Sequence, residues 1–380
     1  MEEELEEYDA KLIIASSEKD SDIYYASGFF APDPFIFLEL PDKRKILVMS
    51  DLEIERAKTE SKADEILSST HYIQKAKKRG IDYPSLLDEL HEVLLELHLK
   101  HLLVPENFPI GYGDFLRKKG YKIKSKKEPF FEERLIKTEK EIELISKVLK
   151  NTEEVFGLVV EEIKKTKIKD NILYRGKEPL QSEDIKRLIN EELMKKQCVA
   201  QHTIVACGDD ACNPHNMGSG VLRSDQAIVI DIFPRSIETG YFADFTRTIV
   251  KGKASKKLKK LYDTVFKAQE RALKLIKDGA FTDKINKAVQ EVFQKAGFGT
   301  GEINGKVQGF IHGTGHGVGL DIHELPRIGS TRNRLKEGNV VTVEPGLYYY
   351  GIGGVRIEDL VVVRKDGCQN LSSFPKELII

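Results

Sequence analysis

Five residues between positions 231 and 358 of this 380-residue chain constrain it more than any other feature: Asp231, Asp244, His316, Glu344 and Glu358. Each sits in a short strand-like or glycine-rich segment. Four carboxylates brought to one point repel one another, and bound cations are the usual remedy. Four carboxylates and one imidazole suit a pair of hard or borderline divalent cations such as manganese. Two such ions can bind one water between them, lower its pKa and supply a hydroxide nucleophile, which points to hydrolysis.

The segments differ in how much each says alone. QAIVIDIF sets Asp231 at the end of an apolar run, as in a buried strand, where a bare carboxylate needs a partner or a metal. The alternative there is a strand-end Asp capping a turn. In GYFADFTRT, Asp244 could equally form a salt bridge with Arg247. GFIHGTGHGVGLDIHELP is more specific: His312, His316 and His323 fall within twelve residues, among five glycines that let backbone approach a ligand closely. The spacing does not say which of them ligates, and one ligand plus two histidines facing a substrate fits as well as three ligands. Glu344 ends the run VVTVEP before a Pro-Gly turn, and a buried Glu needs a partner. Glu358 lies inside GGVRIEDLVVV, with Arg356 two positions away and so on the same strand face. Arg356 can orient a ligand carboxylate there, or simply pair with Glu358.

The chain is long enough for two domains. Its apolar fraction of 40% and charged fraction of 32% come with regular hydrophobic runs, as in a folded soluble protein. A net charge of −1 offers no basic field for nucleic acid. No run approaches the ~18 apolar residues of a membrane span, and the acidic start MEEELEEYDA is unlike a secretory or transit signal. Four cysteines without CxxC spacing read as free thiols. The expected location is the cytoplasm.

Residues 11–50 read as short strands and turns, including KLIIAS, SDIYYASGF, APDP and RKILVMS. A helix follows in 83–99, then the strand LLVPEN, then a helix and strand in YGDFLRKKGYKI. This is an α/β domain, assigned to residues 1–130. Thr138 and Glu141 make a capping box that opens a long amphipathic helix through Ile142, Ile145, Val148, Leu149 and Phe156. Further helices are expected over 182–196 with Ser182 as N-cap, over 256–276, and over 282–296 with Gly297 as the stop. Strands lie among them in TIVACG, QAIVIDIF, RTIVKG, NVVTVEP and GGVRIEDLVVV. Residues 131–380 are therefore expected to be α+β, with helices on an antiparallel sheet, the join falling near 128–138.

Taken together, these segments resemble the pita-bread metallopeptidases: methionine aminopeptidase, aminopeptidase P and prolidase, with creatinase as a metal-free cousin. SDIYYASGF resembles the N-terminal α/β domain of the prolidase, aminopeptidase P and creatinase branch. The resemblance implies two divalent ions, with manganese expected and cobalt or zinc as alternatives. Asp244 and Glu358 would bridge them, Asp231 would complete one site, and His316 with Glu344 the other. IVACGDDACNPH resembles the segment bearing a substrate-facing histidine, here His215. His323 matches a second such histidine; His312 and Arg356 match positions flanking the site. Glu344 is the candidate proton carrier. HELPRI resembles the prolidase phrase, with Arg327 available for a dipeptide's free carboxylate. The implied reaction is cleavage of an Xaa-Pro bond in a peptide with proline at its second position, by a homodimeric enzyme. An Xaa-Pro aminopeptidase acting on longer peptides and a non-catalytic peptide-binding relative are the alternatives. One departure stands out: DIFPRSIETGYFAD is bulkier than the family phrase, and Asp244 follows Asp231 by thirteen positions where about eleven is usual.

Overall fold

Alternation in the run Ala10–Ala15 turns Leu12 and Ile14 to one face of a strand and Ile13 to the other. Both faces are covered, so the strand is apolar throughout. In the computed structural model, which describes residues 8–380, this strand is central to a six-stranded mixed sheet. The order is Glu65–Ser68, Lys45–Met49, Phe35–Glu39, Ala10–Ala15, His101–Pro105, Lys122–Lys126. One core gathers Leu12, Ile14, Ile36 and Leu102 under Tyr72, Leu90, Val93 and Leu116 from three helices. The other gathers Ile13, Phe37, Leu47 and Leu103 under Ile23, Ala26 and Ala57. This first unit ends at Arg134.

SDIYYASGF departs from the strand-and-turn reading: Ser21–Ser27 is an α-helix. Asp20 caps it by accepting from the Ile23 N–H at 2.9 Å, and Gly28 stops it in the left-handed region at φ 63°. Such a short helix is carried by its two caps and by burial of Ile23 and Ala26, not by periodicity.

The second unit spans Leu135–Ile380. Its helix Glu139–Lys165 starts at the capping box read from sequence. Thr138 Oγ1 accepts from the Glu141 N–H, and Glu141 Oε2 accepts from the Thr138 N–H at 2.8 Å. Its inner face buries Phe156 against Phe245 and Phe374, with ring centroids at 5.2 and 4.8 Å. The helix Ser182–Lys195 is capped by Gln181 with Asp184, not by Ser182. The Ser182 hydroxyl instead donates to the Val205 carbonyl and so satisfies a buried acceptor.

Every named strand pair in this unit is antiparallel. Ile204–Cys207, Ile228–Ile232 and Phe245–Ile249 form one three-stranded sheet. Glu324–Ile328, Gly315–Gly317, Val340–Val343, Asp359–Arg364 and Gly367–Asn370 form a five-stranded one. Between its strands the chain makes the ribbon Gly346–Tyr349 with Gly353–Arg356. Helices Lys256–Leu273 and Thr282–Lys295 cover the sheets through Leu261, Val265, Ile285 and Val289 against Val341, Val343 and Val361. No helix among the described residues is long and apolar enough to cross a membrane.

Replacing Thr138 by Ala should remove one arm of the capping box and lower stability by about 1 kcal/mol. Thermal unfolding followed by circular dichroism checks this. An unchanged melt would mean that packing of Phe156 alone sets the start of the helix.

Candidate metal centre

The strand ladders decide which side chains meet. Asp231 stands opposite Thr246, and Asp244 precedes Thr246 by two, so all three side chains project from one face. On the other sheet, Gly317 stands opposite Val341, which sets His316 beside Thr342, with Glu344 two positions further on the same face. Val343 stands opposite Asp359, so Glu344 and Glu358 leave their strands together, one step beyond that pair. Short-range alternation thus points all five candidates inward from five strands.

The donors converge. One ligand atom each of Asp244, His316 and Glu358 lie within 4.8 Å of one another, all three residues buried. His316 Nε2 is 3.6 Å from Asp244 Oδ2 and 3.4 Å from Glu344 Oε1. The second ring nitrogen of His316 is 3.0 Å from the Gly317 carbonyl, which sets the Nδ1–H tautomer and leaves Nε2 free to ligate. Thr246 donates to Glu358 Oε2 at 2.7 Å. Thr342 accepts from the His316 N–H at 3.0 Å and donates to Glu344 Oε1 at 3.4 Å. Arg356 binds Asp231 Oδ2 at 2.6 Å through Nη2 and the Tyr348 hydroxyl at 3.0 Å through Nη1. That hydroxyl is 2.8 Å from His312 Nε2, whose other nitrogen meets the Gly313 carbonyl.

Electrostatics test whether cations fit. Burial, followed by the charges of neighbouring carboxylates, holds Asp244 and Glu358 well above the ordinary carboxylate range. Burial likewise raises Glu344. Asp231 Oδ1 and Glu358 Oε1 are buried and accept no hydrogen bond. Oxygens so placed are costly unless something positive approaches them. Burial pushes His316 down to about 4 and lowers His312, and half-burial of its ring with the charge of Arg327 takes the otherwise exposed His323 down to about 4, so these imidazoles are neutral at physiological pH and do not offset the carboxylates. An all-oxygen set with one neutral imidazole, two orphaned oxygens and proton-seeking acids fits divalent cations.

The chain matches the model of metallopeptidase family M24 over residues 143–365. It belongs to that family. It is 31% identical over 366 residues to an Xaa-Pro dipeptidase of Pyrococcus horikoshii, covering 95% of this chain and 93% of the relative. Among solved structures, X-Pro aminopeptidase of Thermotoga maritima matches with a TM-score of 0.81 at 26% identity, covering 98% of both chains. Prolidase of Pyrococcus furiosus matches with 0.78 at 27%, covering 97% of both. The chain thus has the pita-bread fold of the M24 metallopeptidases, preceded by the N-terminal domain of the prolidase and aminopeptidase P structures.

Within this M24 chain the remaining candidates sit as follows. His323 is exposed, yet its ring lies 4.4 Å from that of His316. Arg327 is exposed on the strand Glu324–Ile328, and its charge reaches both His316 and His323. His215 lies in an exposed loop, near enough to depress His312 and His323. Neither competing salt bridge forms: Arg247 pairs with Asp359 at 3.0 Å, not with Asp244, and Arg356 takes Asp231, not Glu358. Sequence reasoning passed over Thr246, Thr342 and Tyr348. The two threonines carried a usable signal, since each lies two positions from a ligand on a strand. Tyr348 carried none, being one of three consecutive tyrosines in GLYYY.

Because Asp244 and Glu358 seek protons when buried without a cation, manganese binding should displace them. Near pH 6, above the ordinary carboxylate range, calorimetry in buffers of different ionisation enthalpy should register about one proton or more released per protein. The same sign makes affinity rise with pH. Proton-neutral binding of constant affinity between pH 5.5 and 7.5 would contradict these assignments.

Proposed function

We propose that this chain is a prolidase-like metallo-exopeptidase that hydrolyses Xaa-Pro bonds, with dipeptides as the preferred substrates. The observation that carries the reading is the convergence of Asp244, His316 and Glu358, with Glu344 adjoining, in a chain similar along almost its whole length to an Xaa-Pro dipeptidase. Asp231, Asp244, His316, Glu344 and Glu358 would together hold two divalent ions, manganese being favoured by the oxygen-rich donor set. The ions would supply Lewis acidity and lower the pKa of a bound water.

The protein's own groups then divide the remaining work. Glu344, whose carboxyl burial raises, accepts a proton from the attacking water and passes it to the leaving proline nitrogen. His323 and His215 hydrogen-bond the developing oxyanion or the leaving group, His323 as a neutral imidazole. Arg356 takes one Asp231 oxygen and leaves the other free to ligate, while Tyr348 ties Arg356 to His312. Arg327 meets the free carboxylate of a dipeptide. Proline's tertiary amide lacks an N–H, so nothing in the site has to accept one.

The likeness to an X-Pro aminopeptidase keeps a second reading in play, removal of the first residue from longer Xaa-Pro peptides. A cytoplasmic location fits four free cysteines. A homodimer rests on the family resemblance, and sedimentation tests it.

Manganese-loaded protein should cleave an Xaa-Pro dipeptide faster than an Xaa-Pro-Yaa tripeptide, with no cleavage in chelator. Preference for the tripeptide would favour the second reading. Metal-loaded protein that cleaves neither would overturn both. Asp244→Ala and Glu358→Ala should each lose bound metal and activity; near-normal turnover with metal retained would sink the dinuclear reading. Arg327→Ala should reduce dipeptide cleavage ~10-fold or more, as expected for losing a charge-assisted bond, and tripeptide cleavage less. Equal losses would remove Arg327 from carboxylate recognition.

A further inference from the structure

Gln269 is fully buried in the helix Lys256–Leu273, where its inward neighbours Leu261, Val265, Ala268 and Ala272 are apolar. A buried primary amide costs free energy unless its hydrogen bonds are made. Its Nε2 donates to the carbonyl oxygens of Val343 at 2.9 Å and Ile357 at 3.1 Å, while Oε1 finds no partner. The amide is thus held by what it gives to two carbonyls. Turning it over would set Oε1 against two other acceptors, so its orientation is fixed.

Those two carbonyls belong to the residues immediately before Glu344 and Glu358. Both lie where regular pairing runs out. Val343 is the last residue of its strand, and Ile357 lies between the strands Gly353–Arg356 and Asp359–Arg364. Each carbonyl fixes the peptide plane from which the following glutamate starts. A single side chain from outside the sheets therefore joins the starting points of two glutamates that enter the site from different strands.

We propose that Gln269 is a positioning residue for the metal centre, setting the separation and direction of Glu344 and Glu358 through the Val343 and Ile357 carbonyls. This rests on reading those glutamates as metal ligands. A helix residue with no view of the substrate then acts on the coordination geometry alone. A Leu or Met at this position would fill the same volume and leave each peptide plane held from one edge alone, by the Glu344 N–H on the Thr314 carbonyl and the Glu358 N–H on the Thr246 carbonyl.

The test uses the full-length protein titrated with cobalt(II), read by visible absorption and binding affinity. Gln269→Met keeps the volume and removes both donors. It should fold, bind cobalt ~10-fold or more weakly, as for other residues that orient ligands, and show a shifted or altered visible band. Its kcat should fall with KM little changed. Thr264→Val is the control, because it removes a buried hydrogen bond, to the Lys260 carbonyl, from the same helix. That variant should keep the wild-type spectrum. If Gln269→Met does not fold, Gln269→Asn, with the amide drawn back by one methylene, should show an intermediate change. A wild-type spectrum and affinity in a folded Gln269 variant, with only a lower melting temperature, would overturn the proposal. Wild-type protein that binds no cobalt would instead overturn the ligand reading on which it rests.

Discussion

Mutual repulsion among buried carboxylates is the constraint on which the second unit depends. Asp244, Glu344 and Glu358 are each pushed up by burial, and the charge of Asp231 pushes each further. Arg356 pulls all three down, but burial outweighs it. A site so built has two ways to reach neutrality: it can hold protons, or it can hold cations. The imidazoles offer no third route, because burial keeps them neutral. Cation binding and proton release are thereby linked, as in other proteins whose ligands must lose protons to bind.

The sheets meet this constraint by rigidity. Of the candidate ligands, Asp244, Glu344 and Glu358 sit just beyond a strand end, where the last paired residue fixes the backbone, while Asp231 and His316 are held within their strands. Thr246 and Thr342 extend that control to the side chains, one on Glu358 and the other between His316 and Glu344. Asp231 is held from the opposite side by Arg356, itself bound to Tyr348. Behind the second sheet, Arg247 joins Asp359 to the carbonyl of Phe374, and Lys376 also reaches Asp359, at 2.5 Å. Glu153 accepts three hydrogen bonds from Ser373 and Phe374. The residue following Glu358 is thus anchored to the C-terminal segment, and that segment to the long helix Glu139–Lys165.

What the sequence disclosed and what it withheld follow from how local each cause is. The candidate ligand positions stood out in the sequence because a charged residue ending an apolar run is a local contradiction that needs explaining. The Thr138 capping box was legible for the same reason, being complete within four residues. The helix Ser21–Ser27 was missed because seven residues are too few to show a period, and its stability lies in two caps. Ser182 was misread because the carbonyl its hydroxyl serves, Val205, is 23 positions away. The carboxylate partners of Arg356 and Arg247 lie more than a hundred positions away in sequence. For each arginine the local alternative was a nearer acid, and strand pairing overruled it. Gln269 gave no signal at all, since a lone glutamine on an amphipathic helix is ordinary until the carbonyls it faces are known.

The bulky DIFPRSIETGYFAD segment shows how a departure in sequence can leave ligand geometry intact. Asp231 still pairs with Thr246 and Ile232 with Phe245, so the ladder reaches the base of the hairpin without a slip. Beyond it the hairpin closes on itself. The Ala243 N–H donates to the Pro234 carbonyl, and Ser236 and Tyr241 are joined through the Ser236 N–H. Ile237 and Glu238 occupy its exposed tip, which is where extra residues cost least, since surface loops absorb insertions more readily than ladders do. The hairpin also reaches the neighbouring turn: the Phe242 N–H donates to the Gly319 carbonyl, where the chain leads to His323. That turn is fixed by Glu324, which accepts from the Leu320 and Asp321 N–H groups and pairs with the buried Lys137. The longer hairpin therefore bears on the segment carrying His323 and Arg327 while the strand positions of Asp231 and Asp244 stay fixed. The candidate ligands Asp231 and Asp244 thus stand at the base of the hairpin, where the ladder holds its register, and the added residues lie further out, where they meet the segment leading to His323.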